Sequence, residues 1–254
     1  MFKRTVCLII ALLVTTHCYA GTIHHSIPDS NYTKYANGIN CVVPIKGTFK
    51  EENGSTTYFV ASCVIIRERW IATAAHVASF KGMSYEIKVG DEWIKIREVF
   101  IHPEFKVDKF GDADIALGFL DKKAKVDFIP KLYKENNEVN KVACIVGYGT
   151  TGNASNSSRT SDNKKRAGTN RIIKSYGDAL VCNMDRTNPT IYEFCIMPGD
   201  SGGGLFIDKK LAGISSCILN VKGSIKGSYG TESYFTRISS PSVIKWLNFI
   251  LDDK

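Results

Sequence analysis

Residues 199–203 read Gly-Asp-Ser-Gly-Gly, and residues 73–76, far upstream, read Thr-Ala-Ala-His. An aspartate, Asp114, lies between these two motifs, so the chain carries a histidine, an aspartate and a serine in that order. A serine hydroxyl is a poor nucleophile near neutral pH unless a base takes its proton and a third group orients that base. We therefore predict that Ser201 is the nucleophile, His76 the general base and acid, and Asp114 the orienting carboxylate.

Two features around these motifs need separate interpretation. Asp112 lies two residues before Asp114 and competes for the third role, a choice that depends on geometry. Gly199 carries no side chain that would obstruct an approaching carbonyl, so its N–H and that of Ser201 are predicted to form an oxyanion hole. Asp200 would be buried beside this turn and would need a cationic or hydrogen-bonding partner.

The amino terminus is typical of a secretory leader. Lys3 and Arg4 precede a short apolar run at residues 6–14, and Ala20 offers a small residue at a cleavage point. The run is too short to span a bilayer comfortably. We expect cleavage after Ala20, a mature chain of residues 21–254 that is secreted or periplasmic, and no membrane association once the leader is removed.

The charge and composition exclude several functions. The 254-residue chain has a formal net charge of +8, and its basic residues are spread over separate short runs. No run has interleaved aromatic residues or a known nucleic-acid reading motif, so we expect no nucleic-acid partner. No cysteine or histidine spacing suggests zinc, and we expect neither a metal nor another cofactor.

The cysteines suggest export to an oxidising compartment. Six of them follow the leader, and an even number of cysteines in a secreted chain favours disulfides; they are Cys41, Cys63, Cys144, Cys182, Cys195 and Cys217. Asn188 and Pro189 are typical of a turn between two strands. Symmetric pairing about that turn would place Cys182 opposite Cys195.

The fold class follows from short apolar, β-branched runs separated by turn residues, which predict an all-β sandwich or barrel. Residues 241–251 differ, because their apolar side chains recur at helical spacing after a Ser-Ser-Pro start signal at 239–241. Residues 150–171 are rich in Gly, Ser, Asn and Lys and almost devoid of apolar residues. We therefore expect a long exposed loop there.

Together these motifs resemble the chymotrypsin- and trypsin-like serine protease family, in the style of its secreted bacterial members. The resemblance extends over most of the mature chain and includes residues 70–76, 102–105, 114–117, 147–149, 213–216 and 234–238. It implies two six-stranded antiparallel β-barrels packed with the active site between them, and a C-terminal α-helix. The implied halves are roughly residues 37–125 and 126–238. The implied activity is that of a cofactor-free, monomeric serine endopeptidase acting on proteins or peptides through an acyl-enzyme.

The resemblance also implies a substrate-binding site around residues 195 and 216–218. Ser216 would hydrogen-bond the catalytic aspartate. Cys195 stands at the pocket base, where family members that cleave after Lys or Arg carry an aspartate, and Ile218 follows Cys217 at a wall position. A shallow, neutral pocket for small or medium apolar side chains is expected. The resemblance further favours a Cys195–Cys217 disulfide beside this pocket, in competition with the Cys182–Cys195 pairing.

Two alternatives to a constitutively active protease remain open. A catalytically silent member with the same fold could serve as a binding module. Many family members are instead zymogens, in which a newly cut amino terminus pairs with the aspartate before the serine. Residues 34–38 match such a cleavage site weakly, after Lys34, and Asp200 would otherwise be satisfied internally.

Overall fold

A computed structural model describes residues 21–107, 112–156, 158–160, 162–220 and 225–252. The expected leader, residues 1–20, lies outside the described residues. Two closed six-stranded antiparallel barrels and a C-terminal helix make up most of the described chain, so the predicted fold class is confirmed. Within the described ranges, every helix is too short or too polar to cross a membrane.

The chain begins with a short strand and a helix that pack on the second half of the molecule. These elements are β1 (Thr22–Ile23) and α1 (Asp29–Ala36). Tyr32 of α1 is fully buried, and its hydroxyl donates to the carbonyl of Glu193 at 3.0 Å and accepts from the N–H of His24 at 3.1 Å. The amino-terminal segment is therefore held by buried polar contacts that depend on the folded second barrel.

The first barrel contains six strands and one helical turn, and its strand order is β2-β3-β4-β7-β6-β5. Its elements are β2 (Val42–Lys50), β3 (Thr56–Arg67), β4 (Trp70–Thr73), α2 (Ala75–Ala78), β5 (Ser84–Val89), β6 (Glu92–Ile101) and β7 (Ala116–Leu120). The inner end of β3 and all of β4 are buried, which matches their continuous apolar, β-branched sequence. These strands enclose the core of the first barrel. His76 follows β4 in sequence, and Asp114 precedes β7.

The second barrel has the order β11-β12-β16-β15-β14-β8, and beside it lies a four-stranded sheet of order β10-β9-β1-β13. The elements are β8 (Val142–Gly147), β9 (Thr151–Asn153), β10 (Arg159–Thr160), β11 (Arg166–Tyr176), β12 (Ala179–Asn183), β13 (Phe194–Cys195), β14 (Gly204–Ile207), β15 (Lys210–Leu219) and β16 (Glu232–Arg237). The small sheet joins β1, from the start of the chain, to the segment that leads into the serine motif.

The C-terminal helix, α3 (Pro241–Asp252), follows from its sequence. The Ser240 hydroxyl accepts a hydrogen bond from the N–H of Val243 at 3.3 Å, and Pro241 supplies the first helical residue, so the start is capped. Val243, Leu247 and Leu251 recur at four-residue spacing and are buried in the same core cluster as the first barrel. The helix therefore covers the first barrel although it follows the second in sequence.

The prediction of a long exposed loop at residues 150–171 is wrong. This segment contains β9, β10 and the buried first half of β11. Arg166 is 1% exposed, and its guanidinium pairs with Asp29 at 2.5 Å and with Asp162 at 2.7 Å. Tertiary ion pairs and small residues in a close-packed sheet stabilise these strands, and neither produces an apolar pattern in the sequence.

Candidate active site

The first barrel positions His76 and Asp114 through the pairing of β4 with β7. Antiparallel register places Thr73, at the end of β4, opposite Ala116, at the start of β7, so the residues that follow and precede them meet at one rim. The Nδ1 atom of His76 lies 2.7 Å from Oδ2 of Asp114, and the His76 N–H donates to Oδ1 at 2.9 Å. A carboxylate at this position accepts a hydrogen bond from Nδ1–H and so keeps the proton on Nδ1, which leaves the lone pair on Nε2.

Asp114 is fully buried and receives further donors from the second barrel. The hydroxyl of Ser216 donates to Oδ2 at 2.5 Å, and Thr236 donates to the Asp114 carbonyl at 2.9 Å. Burial by itself would raise the pKa of this carboxyl, but the hydrogen bonds from His76 and Ser216 outweigh it, so the pKa lies below its ordinary value. The side chain is therefore ionised at neutral pH.

The two candidate aspartates occupy different environments. Asp112 is exposed, whereas Asp114 is buried against the His76 ring. The residue between them, Ala113, has a positive φ of 50° and directs the chain inward at this point. The geometry thus places Asp114, and not Asp112, next to the histidine.

Ser201 lies on a turn that touches the first barrel. The carbonyl of Ser201 accepts from the N–H of Ser62 in β3 at 3.0 Å, and the Ser62 carbonyl accepts from the Thr73 hydroxyl at 2.9 Å. A Cβ on Gly202 would lie 2.1 Å from both the Ser62 carbonyl oxygen and the Thr73 Oγ1. Only glycine permits this approach, which ties the serine turn to the strand leading into His76.

The backbone around Ser201 presents two N–H groups. The Pro198 carbonyl accepts from the Thr150 N–H at 2.8 Å, and the Asp200 carbonyl accepts from the Gly203 N–H at 2.8 Å. Because C=O and N–H point in opposite directions across a trans peptide, the N–H groups of Gly199 and Ser201 face away from these partners. Neither has an acceptor among the described residues. Both N–H groups are therefore available to donate hydrogen bonds to another group.

A buried hydroxyl fixes this turn from below. Ser62 is fully buried; its Oγ donates to the Gly199 carbonyl at 2.9 Å and accepts from the Tyr148 N–H at 3.0 Å. Gly199 itself has a φ of 95°, which favours glycine. Sequence reasoning missed Ser62, although a polar residue within the apolar run of β3 is a recognisable signal.

Asp200 is buried beneath the turn and accepts three backbone N–H groups. Gly149 donates to Oδ1 at 2.7 Å, while Met197 and Gly21 donate to Oδ2 at 2.8 and 2.9 Å. Burial nevertheless raises the pKa of this carboxyl to about 7. The partner from the start of the chain is thus Gly21. Lys34 lies inside α1, and the structure gives no support to an activating cut after it.

The residues expected at the substrate pocket are uncharged and lie in neighbouring clusters. Cys195 is fully buried, and its Sγ accepts from the Ser233 hydroxyl at 3.3 Å. Ile218 packs against the cluster that contains Cys195, and Cys217 lies beside it on β15, partly exposed. Burial raises the pKa of the Cys195 thiol, the hydrogen bond from Ser233 lowers it, and the charges of Asp200, Glu193 and Arg159 also act on it.

The six cysteines are unbridged in the structure, so neither expected disulfide is formed. The predicted hairpin, which would have placed Cys182 opposite Cys195, does not form. Instead, β12 pairs with β11 and β16, and β13 pairs with β1. Cys195 and Cys217 pack in different apolar clusters. Burial raises the pKa of the Cys195 thiol to about 12 and that of Cys217 to about 11.

Comparison with protein families matches residues 36–247 to the family described as Trypsin. The match covers most of the chain, which therefore belongs to the trypsin family, and the resemblance to chymotrypsin- and trypsin-like serine proteases is confirmed. A comparison with curated proteins finds no match. Proteases of this family act on peptide substrates, and its members are commonly secreted.

The Asp114 pKa gives a prediction for acid stability. Since folding lowers this pKa, the carboxylate stabilises the fold above the unfolded value of 3.8, and that contribution is lost as the pH falls through the lower folded value. The difference in free energy of unfolding between wild type and Asp114→Asn should be constant above about pH 5 and shrink below about pH 4. Urea titrations from pH 7 to 3 measure it, and a difference unchanged at pH 3 would contradict the assignment.

Ser62 gives a prediction for turnover. Ser62→Ala should lower kcat by about 10-fold and change KM by less than about 2-fold, because one hydrogen bond that orients the Gly199 peptide is lost. The matched control is Ser215→Ala, since the buried Ser215 hydroxyl has no hydrogen-bond partner in the described residues. Equal losses in both variants would mean that Ser62 matters for packing alone.

Proposed function

We propose that this chain is a serine endopeptidase that hydrolyses peptide bonds through Ser201, His76 and Asp114. The observation that carries the proposal is the His76 ring held at 2.7 Å by a buried, ionised Asp114, at the rim where the serine turn meets the first barrel. A base whose tautomer is fixed in this way can accept a proton on its other nitrogen. Membership of the trypsin family supports the same reading.

The reaction assigns a task to each group. Nε2 of His76 takes the proton of Ser201 as Oγ bonds to the substrate carbonyl carbon, and the oxyanion is held by the N–H groups of Gly199 and Ser201. Collapse of the tetrahedral intermediate breaks the C–N bond, and the leaving amine takes the proton from Nε2. The resulting acyl ester on Ser201 is then hydrolysed by a water that His76 activates in the same way.

The substrate is a protein or peptide with a small or medium apolar side chain at the cleaved bond. The uncharged Cys195 at the expected pocket base and Ile218 beside it support this preference, because the residue at that base is not a carboxylate that would pair with a cation. The proposal includes export to the periplasm or the medium after leader removal, and action as a monomer without metal, cofactor or nucleic acid.

Covalent labelling tests the nucleophile. A fluorophosphonate probe should label the purified mature protein at Ser201, with loss of fluoride as Oγ bonds to phosphorus, and Ser201→Ala should abolish labelling. Ser84→Ala, which changes an exposed serine of the first barrel, should label like wild type. An unlabelled wild type with a native circular dichroism spectrum would instead identify a catalytically silent binding module. Faster turnover of esters alone, without amides, would identify an esterase.

A series of peptide p-nitroanilides tests the pocket. The value of kcat/KM should be at least about 100-fold higher for Ala or Val than for Lys or Arg before the cleaved bond, since an unpaired buried charge costs about 3–5 kcal/mol. Ile218→Gly should raise kcat/KM for a Phe substrate by about 10-fold or more by removing wall volume. A profile dominated by Lys or Arg would refute the neutral pocket while leaving the triad intact.

A further inference from the structure

A basic groove of about 880 Å³ crosses the outer face of the first barrel. Pro44, Lys46 and Thr48 of β2 line it, and the residues between them are buried, so these three side chains share the outward face of the strand. In the antiparallel register Thr48 lies opposite Tyr58 of β3, and Lys46 lies opposite Glu86 of β5. The groove is therefore built on regular strand pairing.

Lysine side chains give the basic groove its charge. The charged residues among its described lining are four lysines and one carboxylate, namely Lys46, Lys88, Lys125, Lys165 and Asp127. Two of the lysines have partners: Lys46 pairs with Glu86 at 3.0 Å, and Lys165 donates to the Ile39 carbonyl at 2.6 Å. Lys88 and Lys125 have no ion pair with any described residue, so both ammonium groups are open to an anion.

Two exposed aromatic side chains stand at the basic groove. Tyr58 is 67% exposed and Trp93 is 36% exposed. Trp93 lies opposite Lys88 in the pairing of β5 with β6, and the Nζ atom of Lys46 lies 4.2 Å from the centroid of the indole ring. A ring face that a lysine covers is closed to a stacked nucleobase, whereas the ammonium groups beside it can bind carboxylates. The groove therefore suits an acidic peptide better than a nucleic acid.

The basic groove reaches the serine turn through Tyr148. Tyr148 lines the groove, and its N–H donates to Oγ of Ser62, which donates in turn to the Gly199 carbonyl. A strand rises about 3.3 Å per residue, so the floor from Val42 to Thr48 is about 20 Å long and matches about six residues of an extended peptide. A polypeptide bound at the serine turn can therefore continue along this floor.

We propose that the basic groove binds an acidic stretch of the protein substrate, outside the segment that is held at Ser201. The inference rests on the proposed function, because it names the class of protein that the same active site would cleave. The selected substrates carry a run of Asp or Glu a few residues from the cleaved bond. The contacts of Lys88 and Lys125 are exposed to solvent, so they act on the rate of encounter and on KM.

Direct binding tests the basic groove without catalysis. The Ser201→Ala protein is titrated with a hexaglutamate peptide and, as the neutral counterpart, with a hexaglutamine peptide, while tryptophan fluorescence is followed. Hexaglutamate should bind at least about 10-fold more tightly, and its affinity should fall as added salt screens the charges. Trp93→Phe should remove the fluorescence change. Equal affinities for the two peptides, or no binding of either, would overturn the proposal.

A double charge reversal locates the binding. Lys88→Glu combined with Lys125→Glu should weaken hexaglutamate binding by about 10-fold or more, because two open cations become anions. The matched control is Lys131→Glu combined with Lys134→Glu, which makes the same charge change at exposed lysines of a different groove. The control should weaken binding by less than about 2-fold. Equal losses in the two double variants would mean unspecific attraction and would overturn the site.

Turnover connects the basic groove to Ser201. Quenched fluorescent peptides share one cleavage site, and a run of glutamates is added before the cleaved bond in one peptide and after it in another. At least one acidic peptide should have a kcat/KM about 10-fold higher than the parent peptide, through a lower KM. The Lys88→Glu and Lys125→Glu protein should reduce this ratio to about 2 or less. A wild-type ratio near one for both acidic peptides would contradict the proposal.

The outcomes separate this proposal from the proposed function. If hexaglutamate binds the groove but the fluorophosphonate probe does not label the wild type, acidic-peptide binding stands and the protease assignment fails. If the wild type is labelled but hexaglutamate does not bind, the protease stands and the groove fails. A DNA duplex that binds more tightly than hexaglutamate, with the same loss in the double variant, would refute a peptide as the occupant.

Discussion

The site depends on one close approach, that of Gly202 to β3 and β4 of the first barrel. The absence of a side chain at Gly202 lets the backbone of the serine turn lie against the Ser62 carbonyl and the Thr73 hydroxyl. Hydrogen bonds from Ser62 to Ser201 and from Ser216 to Asp114 cross between the barrels as well. Contacts between two closed barrels therefore set where the serine turn lies relative to His76.

Two buried aspartates show how local donors decide the role of a carboxylate. Asp114 receives a histidine ring and a serine hydroxyl, and its pKa falls although it is buried. Asp200 receives three backbone N–H groups, and its pKa rises to about 7. The first remains charged beside the His76 ring, while the charge of the second depends on the groups around it.

The sequence predicted the parts of the molecule that are encoded locally. The motifs around His76 and Ser201 and the capped helix after Ser240 are short stretches whose residue types imply their chemistry. The strands within residues 150–171 were not predicted, because the ion pair between Arg166 and Asp29 stabilises them. A contact between residues so far apart in sequence leaves no local sequence pattern. The disulfides were expected from the number of cysteines, whereas strand pairing decides which thiols lie near each other.

The contact of Gly21 was missed for a related reason. Thr22 and Ile23 form a strand of two residues, too short for any periodicity, and their partners lie in β9 and β13. Ser62 could have been recognised as a polar residue in an apolar run, but its partner Gly199 lies in the other barrel. In both cases the residue's contact is with a partner that is distant in sequence, so the residues next to it in the chain do not indicate that contact.

The pairing of β1 with β13 also determines when β1 can dock during synthesis and folding. The first strand to leave the ribosome cannot dock until the segment around Cys195 has been synthesised and folded, and closing so long a loop is entropically costly and slow. The four-stranded sheet therefore stays incomplete until β1 has docked. A chain whose synthesis stops before residue 194 lacks the strand that pairs with β1.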